Sequence, residues 1–333
     1  MSKKITTIKE IAQQLNISIS TVSRALNNHP SIGANTKAAV KKKAEELNYH
    51  PNQTAISFKS SRTNTIGVIV PNLKEEFFVS ILAGIEGVLR QQNYIALITQ
   101  SHDSMNLEKE LVASMLKYRV DGLLVSLAKD NDSLAHFEKL NELDLPIVYF
   151  DRVPLYQDIN YIMCSIFHST VEMIQSLNEK GHQRIALILG PENFPDKNER
   201  WMGYKEGLKK INLDYLDEYV QHTDFTYTST LNAINHLMKL QEPPTVIITV
   251  NDYVALDAFK ILKSYNTPVD IASYANISFI EYLEKKPVIS IEQFPTSQGK
   301  KAAGLLLELI RAKEEQKKPA PQQIVLRSKL IQR

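Results

Sequence analysis

Apolar residues in the first fifty positions recur at the three- and four-residue spacing of helices that bury one face. The spacing predicts three short helices; Thr7 and Ser18 are the expected N-caps of the first two, and the third runs from about Thr36 to Leu47. Asn16, a residue type that tolerates the left-handed conformation, is expected to turn the chain between the first two helices. The expected inward positions are, in order, Ile8, Ile11, Ala12, Leu15, Val22, Ala25, Leu26, Ala39, Val40, Ala44 and Leu47.

From Thr65 onward the pattern changes to continuous apolar runs that alternate with helical stretches. The runs "TIGVIV", "YIALIT", "GLLVSL" and "PIVYF" alternate with helices predicted near 78–92, 106–118 and 133–142. After "NYIMCSI" a second series contains "RIALIL" and "TVIITV", with helices predicted near 168–180, 200–211 and 253–265. Apolar strands that alternate with helices are typical of buried parallel sheets, so we expect two α/β lobes of roughly 100 residues each.

Charge is distributed unevenly along the 333 residues. Residues 1–63 contain ten Lys and Arg against three Glu, a net +7, whereas the remainder contains 29 Lys and Arg against 34 acids, a net −5. The basic head indicates a polyanionic partner. Two helices joined by a short turn and supported by a third form a helix-turn-helix, in which the second helix enters the major groove of DNA. The alternative is a small bundle whose hydroxyls serve only as caps, and it leaves the +7 unexplained.

Other features of the sequence restrict the class of protein. The single cysteine, Cys164, excludes an internal disulfide framework and fits a cytoplasmic location. No apolar run approaches the roughly 20 residues of a membrane span, and a secretory signal is not expected. The sequence contains no Gly-rich phosphate loop, His-Glu-x-x-His or Gly-x-Ser-x-Gly motif, and its eight histidines lack metal-binding spacing. We therefore expect no enzyme, no metal site and no cofactor.

The segment "TIKEIAQQLNISISTVSRALNN" followed by "EELNYHPN" resembles the N-terminus of the LacI/GalR (lactose-repressor) family of bacterial transcription regulators. The resemblance continues through "NTIGVIVPNL", "RVDGLLVS", "IVYFDR", "KGHQRIALILGP", "ERWMGYKEGL" and "VNDYVAL", and so covers nearly the whole chain. It implies an all-α helix-turn-helix domain at 1–50, a hinge helix and linker at 51–64, and a two-lobed body at 65–333 that binds an effector and dimerises.

The resemblance further implies a periplasmic-binding-protein-like fold with parallel sheets for the body. Lobe one is expected at about 65–160 plus 292–320, and lobe two at about 161–291 plus 321–333. The helix 297–313 is expected to return to lobe one. The terminal segment "PQQIVLRSKLI" is expected to finish as a strand of lobe two.

The resemblance also implies which residues contact DNA. Ile19, Ser20 and Arg24 are expected to meet bases. The residues expected to hold the DNA backbone are Thr7, Ser18, Thr21, Ser23, Asn27 and Thr36. In similar proteins the hinge helix folds on operator DNA and wedges a Leu into the minor groove; here Phe58 stands at the wedge position and Ala55 in its usual place, and Phe is also an intercalating type. Gly33 stands where similar members often have Ser, so that phosphate contact is expected to be missing.

Six positions are implied to line an effector cleft between the lobes: Phe78, Asp151, Arg200, Phe225, Asn251 and Ala275. Ligands of open α/β sheets bind at the carboxyl ends of strands, where several of these residues lie in the sequence. Carboxylate, amide and guanidinium groups beside aromatic faces suit a carbohydrate. Other interpretations stay open for three residues: Arg200 on a helix surface, Phe78 in the core, and Asp151 as a cap or a support of the crossover.

Two departures from the family pattern lie beside this cleft. The stretch "CSIFHST" replaces an acidic pair that many members carry near the crossover. The stretch "DIASYANIS" is two residues shorter than the usual segment and puts Ala275 at a polar ligand position. We expect a less polar pocket or an unusual ligand, unless the shortening reflects the placement of the gap.

The leading interpretation is a homodimeric repressor that binds double-stranded operator DNA and responds to a small molecule, a sugar or sugar derivative. The ligand is expected to close the lobes, shift the dimer interface and disfavour the ordered hinge helices. Two alternatives stay open: a solute-binding protein of a sugar transporter, which needs an export signal and no basic head, and a regulator without a small-molecule effector. No long heptad extension follows Arg327, so a tetramer-forming tail is not indicated.

Overall fold

The computed structural model describes residues 6–49, 62–131, 133–154, 158–191 and 197–333, apart from the side chains of 197 and 198. Two compact units divide the chain, residues 1–63 and 64–333. We call the first the head and the second the body. Ala55 and Phe58, the expected minor-groove residues, lie outside the described residues.

The head contains three helices, α1 (Ile8–Leu15), α2 (Ile19–Leu26) and α3 (Ala34–Glu46). Asn16 ends α1 with φ 51° and ψ 44°, which confirms the predicted left-handed turn. The shared core consists of Ile11, Ala12, Val22, Ala25, Val40 and Ala44. Ala39 was expected to face inward and is exposed, so that assignment was wrong.

The first lobe of the body is a six-stranded sheet in the order β11-β5-β4-β3-β1-β2, with every neighbouring pair parallel. Its strands are β1 (Thr65–Val70), β2 (Ile95–Gln100), β3 (Gly122–Val125), β4 (Ile147–Phe150), β5 (Tyr161–Ser165) and β11 (Gln323–Arg327). Its helices are α4 (Glu76–Gln91), α5 (Met105–Lys117), α6 (Ala135–Glu142) and α11 (Pro295–Glu314).

The second lobe is a sheet in the order β12-β10-β9-β8-β6-β7, parallel except for the antiparallel edge strand β12. Its strands are β6 (Ile185–Leu189), β7 (Val220–His222), β8 (Val246–Thr249), β9 (Asp270–Ala275), β10 (Ile289–Glu292) and β12 (Lys329–Gln332). Its helices are α7 (Phe167–Glu179), α8 (Lys197–Lys210), α9 (Tyr227–Met238) and α10 (Asp252–Leu262), with 3₁₀ turns at Asp217–Tyr219 and Ser278–Tyr282.

The expected division between the lobes was wrong at two strands. The strand 161–165 and the strand 323–327 pair with each other and belong to the first sheet, although both ranges were assigned to lobe two. Only 329–332, the last part of "PQQIVLRSKLI", joins the second sheet. The chain therefore passes between the sheets three times, after β5, after β10 and between β11 and β12.

Two glycines let α4 and α11 pack at backbone contact in lobe one. A Cβ on Gly84 would lie 2.3 Å from the carbonyl oxygen of Thr296, and a Cβ on Gly299 would lie 2.0 Å from that of Ile81. Only glycine permits such an approach without displacing one of the helices. The crossing holds the middle of α4, at Ile81–Gly84, against the start of α11. No helix among the described residues is long and apolar enough to cross a membrane.

Candidate functional site

The face of α2 opposite the head core carries the residues predicted to read bases. Val22 and Ala25 are fully buried, whereas Ser20 and Arg24 are exposed. The Ile19 side chain, although apolar, is 44% exposed to solvent. Because residues three and four apart share one helix face, this arrangement presents Ile19, Ser20 and Arg24 together to solvent. The exposed face carries short side chains and one guanidinium, which permits a close approach to a groove edge.

Hydrogen bonds within α2 hold both of its ends. The Thr21 backbone N–H donates to Ser18 Oγ (3.1 Å), so Ser18 is the predicted N-cap. Ser18 Oγ also lies 2.8 Å from the hydroxyl oxygens of both Ser20 and Thr21. At the other end, Asn27 Nδ2 donates to the carbonyl oxygen of Ser23 (2.9 Å). These residues therefore shape the helix, whatever else they contact.

The remaining predicted backbone contacts of the head lie at helix starts. Thr7 precedes α1, where its N–H donates to Glu10 Oε2 (3.4 Å), and Thr36 lies in the first turn of α3. Helix starts present unpaired N–H groups that bind phosphates. Gly33, the N-cap of α3, provides no side-chain acceptor for that turn.

All six predicted effector residues border one cleft of the body, between the carboxyl ends of the two sheets. Phe78 from α4 and Asp151 after β4 come from lobe one. Lobe two contributes Arg200 of α8, with Phe225, Asn251 and Ala275 at or after the ends of strands. The free volume within the cleft is about 50 Å³.

Two ionic groups border the cleft from opposite lobes, the half-buried Asp151 and the buried Arg200. Burial raises the pKa of the Asp151 carboxyl to about 6, against the opposing effect of Arg152 and Arg200. Burial also lowers the pKa of the Arg200 guanidinium to about 10. Arg200 is 5% exposed, and its guanidinium carbon lies 4.5 Å from the centre of the Tyr274 ring. The interpretation of Arg200 as a surface helix residue was therefore wrong.

The other two open interpretations are answered in part. Phe78 is 1% exposed and belongs to the main core of lobe one, so it is a core residue that also borders the cleft. Asp151 has a left-handed backbone (φ 59°), and its N–H donates to the Ile162 carbonyl across the strand pair β4–β5. Its carboxyl nevertheless borders the cleft.

Local backbone geometry positions the lobe-two residues of the cleft. Asn251 Oδ1 accepts from the Val254 N–H (2.9 Å) and caps α10, so this oxygen is already engaged. Phe225 and Ala275 have φ of 72° and 99°. Such values are costly for residues with a Cβ and concentrate at functional sites. The Ala275 side chain adds no polar group to the cleft.

Eight further residues that were not selected from the sequence border the cleft: Glu75, Phe77, Arg152, Val250, Asp252, Tyr253, Ile277 and Gln293. Arg152 pairs with Asp103, and its guanidinium lies 5.5 Å from the Phe78 ring centre. Gln293 directly follows β10, so the rule that ligands meet the carboxyl ends of strands would have found it. Ile277 carried no such signal. Among the described residues no group of His, Cys, Asp or Glu has metal-binding geometry.

Comparisons with known families match both parts of the chain. Residues 7–52 match the model of bacterial regulatory proteins of the lacI family. Residues 63–332 match the model of periplasmic binding proteins and sugar-binding domains of the LacI family. The chain belongs to the LacI family. It has a DNA-binding head and a ligand-binding body of this family, and the match of the head argues against a transporter's solute-binding protein.

Individual relatives of this LacI-family chain are transcription regulators. It is 30% identical over 335 residues to the transcriptional repressor PurR of Aliivibrio fischeri, covering 98% of this chain and 99% of that protein. It is 30% identical over 251 residues to catabolite control protein A of Priestia megaterium, covering 75% of each.

Solved structures show the same architecture. The complex of the transcriptional regulator CelR with cellobiose matches with a TM-score of 0.72 and 25% identity over 98% of both chains. The lac repressor dimer bound to operator matches with a TM-score of 0.87 and 23% identity, covering 99% of this chain and 98% of that one. The second likeness supports the fold, a helical head followed by a two-lobed α/β body.

Proposed function

We propose that this protein represses transcription as a cytoplasmic homodimer that binds operator DNA through α2 and is controlled by a carbohydrate in the cleft. The observation that carries the proposal is the pairing of two sites in one chain. The head exposes a capped helix with Ile19, Ser20 and Arg24 on one face. The body brings six residues, distant in sequence, to one cleft.

The DNA contacts of the proposal are divided by chemistry. Arg24, Ser20 and Ile19 contact base edges, because guanidinium and hydroxyl groups pair with bases and apolar groups meet thymine methyls. The phosphates are contacted by Thr7, Ser18, Thr21, Ser23, Asn27 and Thr36. Phe58 is the minor-groove wedge, with Ala55 beside it in the hinge helix.

The carbohydrate assignment is supported by the cleft and by one relative. Asp151 and Arg200 offer charged partners for hydroxyl groups, and Phe78 and Phe225 offer aromatic faces for the apolar side of a sugar ring. CelR, which shares 25% of its sequence with this chain, binds cellobiose.

A homodimer is supported by an exposed apolar surface on lobe one. Strand β2 is an edge of the first sheet, and its Ile95 and Ile98 are 71% and 41% exposed. Val79 on α4 and Leu73 before it are 49% and 38% exposed. Exposed apolar residues along an open sheet edge mark a site of association. Two heads also match the two half-sites of a palindromic operator.

A thermal-shift screen of the full chain against sugars, sugar acids and sugar phosphates tests the effector. A ligand at 100 times its Kd adds about 2.7 kcal/mol to the stability of the folded state. Arg200→Ala should lose this shift and retain operator affinity, whereas Arg311→Ala, an exposed arginine of lobe one, should retain both. A full ligand-induced shift in Arg200→Ala would remove Arg200 from the site.

A regulator without a small-molecule effector is the second candidate. The free volume of about 50 Å³ in the cleft favours it, because pockets for small molecules measure about 300–1,000 Å³. If no ligand class in the screen raises the melting temperature while the chain still binds its operator, the result would support this second candidate.

A further inference from the structure

The segment Ala275–Tyr282, which we call the strap, leaves the end of β9 by an abrupt change of direction. Ala275 and Asn276 have consecutive left-handed conformations, with φ of 99° and 59°. Neither residue is glycine, so the surrounding contacts must stabilise this path. It leads the chain past Ile277, which borders the cleft, into the 3₁₀ turn Ser278–Tyr282.

Lobe two holds the strap through buried and ionic groups. The Ile277 N–H donates to Asp252 Oδ2 (2.8 Å), and Asn276 Nδ2 donates to Glu292 Oε2 (2.8 Å). The Arg333 guanidinium donates to Asn276 Oδ1 (2.5 Å) and to Glu281 Oε1 (2.9 Å). These contacts fix both ends of the strap to its own lobe.

The strap also contacts lobe one directly. The Ser278 N–H donates to Glu76 Oε1 (2.9 Å) at the start of α4. Ala275, Ile277 and Ile280 belong to the same buried apolar cluster as Phe77 and Phe78 of α4. The two lobes therefore share one core at this point.

Tyr253 of α10 adds a second polar link between the lobes beside the strap. Its hydroxyl donates to the Lys74 carbonyl oxygen (3.0 Å) and accepts from the Glu76 N–H (2.9 Å). Its ring lies 6.0 Å from that of Phe279 in the strap, edge to face. One side chain of lobe two thus satisfies two backbone groups of lobe one.

The strap separates two spaces of unequal size. Ala275 and Ile277, with Phe77, border both the cleft, with its free volume of about 50 Å³, and a second opening of about 420 Å³ on the other side. The second opening is also bordered by Asn276, Ser278 and Glu292. The strap therefore has free space beside it that Ala275 is the only one of the six effector residues to border.

We propose that the strap is a gate: it holds the lobes together through protein contacts alone, and a sugar-sized ligand enters only when Ile277 moves toward the larger opening. The inference rests on the proposed function in taking the cleft as the effector site. It predicts that a ligand competes with the Ser278–Glu76 and Tyr253–Lys74 contacts. Ile277 then determines which ligand sizes the cleft admits.

Spin-label distances between the lobes test the gate in the full chain. Labels are placed at Glu138→Cys on α6 and Lys239→Cys after α9, both exposed, in a Cys164→Ser background that removes the single native cysteine. The labelled chain is mixed with an excess of unlabelled chain, so that a dimer contains at most one labelled copy. With only these changes it should give one narrow distance distribution. Adding Tyr253→Phe with Glu76→Ala, or Ile277→Ala alone, should shift the distribution to longer distances and broaden it.

Matched variants control for loss of folding. Tyr265→Phe removes a tyrosine hydroxyl bonded to Asn235 within lobe two, and Glu86→Ala removes an exposed acid from the same helix as Glu76. Both controls should retain the narrow distribution, and all variants should keep the wild-type circular dichroism. Unchanged distances in the Tyr253 and Ile277 variants would overturn the gate. Failure of the wild-type chain to bind any selected DNA would overturn the proposed function and leave the distance result standing.

Discussion

Asp252 lies at the start of α10 with its carboxyl fully buried behind the strap. Burial raises its pKa to about 6, against the opposing effects of hydrogen bonds from Ser273 and Ile277 and the charge of Arg333. A carboxyl whose pKa is higher in the folded chain binds its proton more tightly there than when unfolded. Its contribution to stability is complete below its unfolded pKa and is lost as the pH rises through about 6.

Asp252→Asn should therefore flatten the dependence of body stability on pH. Between pH 5 and 7 the wild-type carboxyl should lose about 1 kcal/mol of stabilisation that a neutral amide does not lose. Asn still offers an oxygen to the Ile277 N–H. Melting temperatures measured at several pH values give the slope of stability against pH. Asp214→Asn, at an exposed residue, is the control. An unchanged slope in Asp252→Asn would contradict the assignment.

Gly33 offers a second prediction at the scale of one residue. Its backbone has φ −63° and ψ 153°, which any residue adopts, and a Cβ there would meet no atom within 4 Å. Gly33→Ser should add a cap to α3, stabilise the head by a few tenths of a kcal/mol, and tighten DNA binding through the added hydroxyl. Gly33→Ala provides the Cβ without the hydroxyl and should weaken the cap. Weaker operator binding by the Ser variant would refute the prediction.

At the scale of elements, α2 combines a buried face, a capped start and an exposed reading face within eight residues. Arg24→Ala should cost about 1–3 kcal/mol on the operator and much less on unrelated DNA, because a base contact carries sequence information. If Lys42 of α3 contacts phosphates, Lys42→Ala should reduce the affinity for the operator and for unrelated DNA by about the same factor. Measuring the affinity of each variant for both duplexes distinguishes the two kinds of contact. Equal losses of affinity in Arg24→Ala would show that Arg24 contacts a phosphate and not a base.

Most elements of this chain could be predicted from periodicity, and two exceptions have physical causes, one local and one long-range. Helix α9 was not predicted, although Leu231, Ile234 and Leu237 recur every three residues, because its first turn, "YTST", contains hydroxyl and β-branched types that disfavour helices. Strand β5 was predicted in the wrong lobe. Its place depends on pairing with β11, more than 150 residues away, and periodicity carries no such information.

The same limits apply within the cleft. Phe78, Asp151, Arg200, Phe225, Asn251 and Ala275 were selected by resemblance, and all border the cleft. The position of Ile277 depends on two consecutive left-handed residues, Ala275 and Asn276. Glycine adopts positive φ without steric cost and would have signalled such a path, whereas the sequence here has alanine and asparagine. The strap was therefore found only in the structure.

At the scale of the whole molecule, the apolar edge of lobe one should hold two copies together. Ile95→Lys places a charge on the exposed edge strand β2 and should convert the proposed dimer to a monomer, because burial of an unpaired charge is costly. Val325→Lys is the matched control, since Val325 is 51% exposed on β11, the opposite edge of the same sheet. Sedimentation velocity measures the oligomeric state of both variants. A dimeric Ile95→Lys would place the interface elsewhere.

Sequence-specific DNA binding by the basic head can be tested through the salt dependence of its affinity. The full chain is titrated by fluorescence anisotropy with a palindromic duplex obtained by in vitro selection and with a scrambled duplex of equal composition, between about 50 and 200 mM salt. We predict tighter binding to the palindrome at every salt concentration, with log affinity falling linearly as log salt rises on both duplexes. Equal affinity for the two duplexes, or affinity that does not change with salt, would contradict the account.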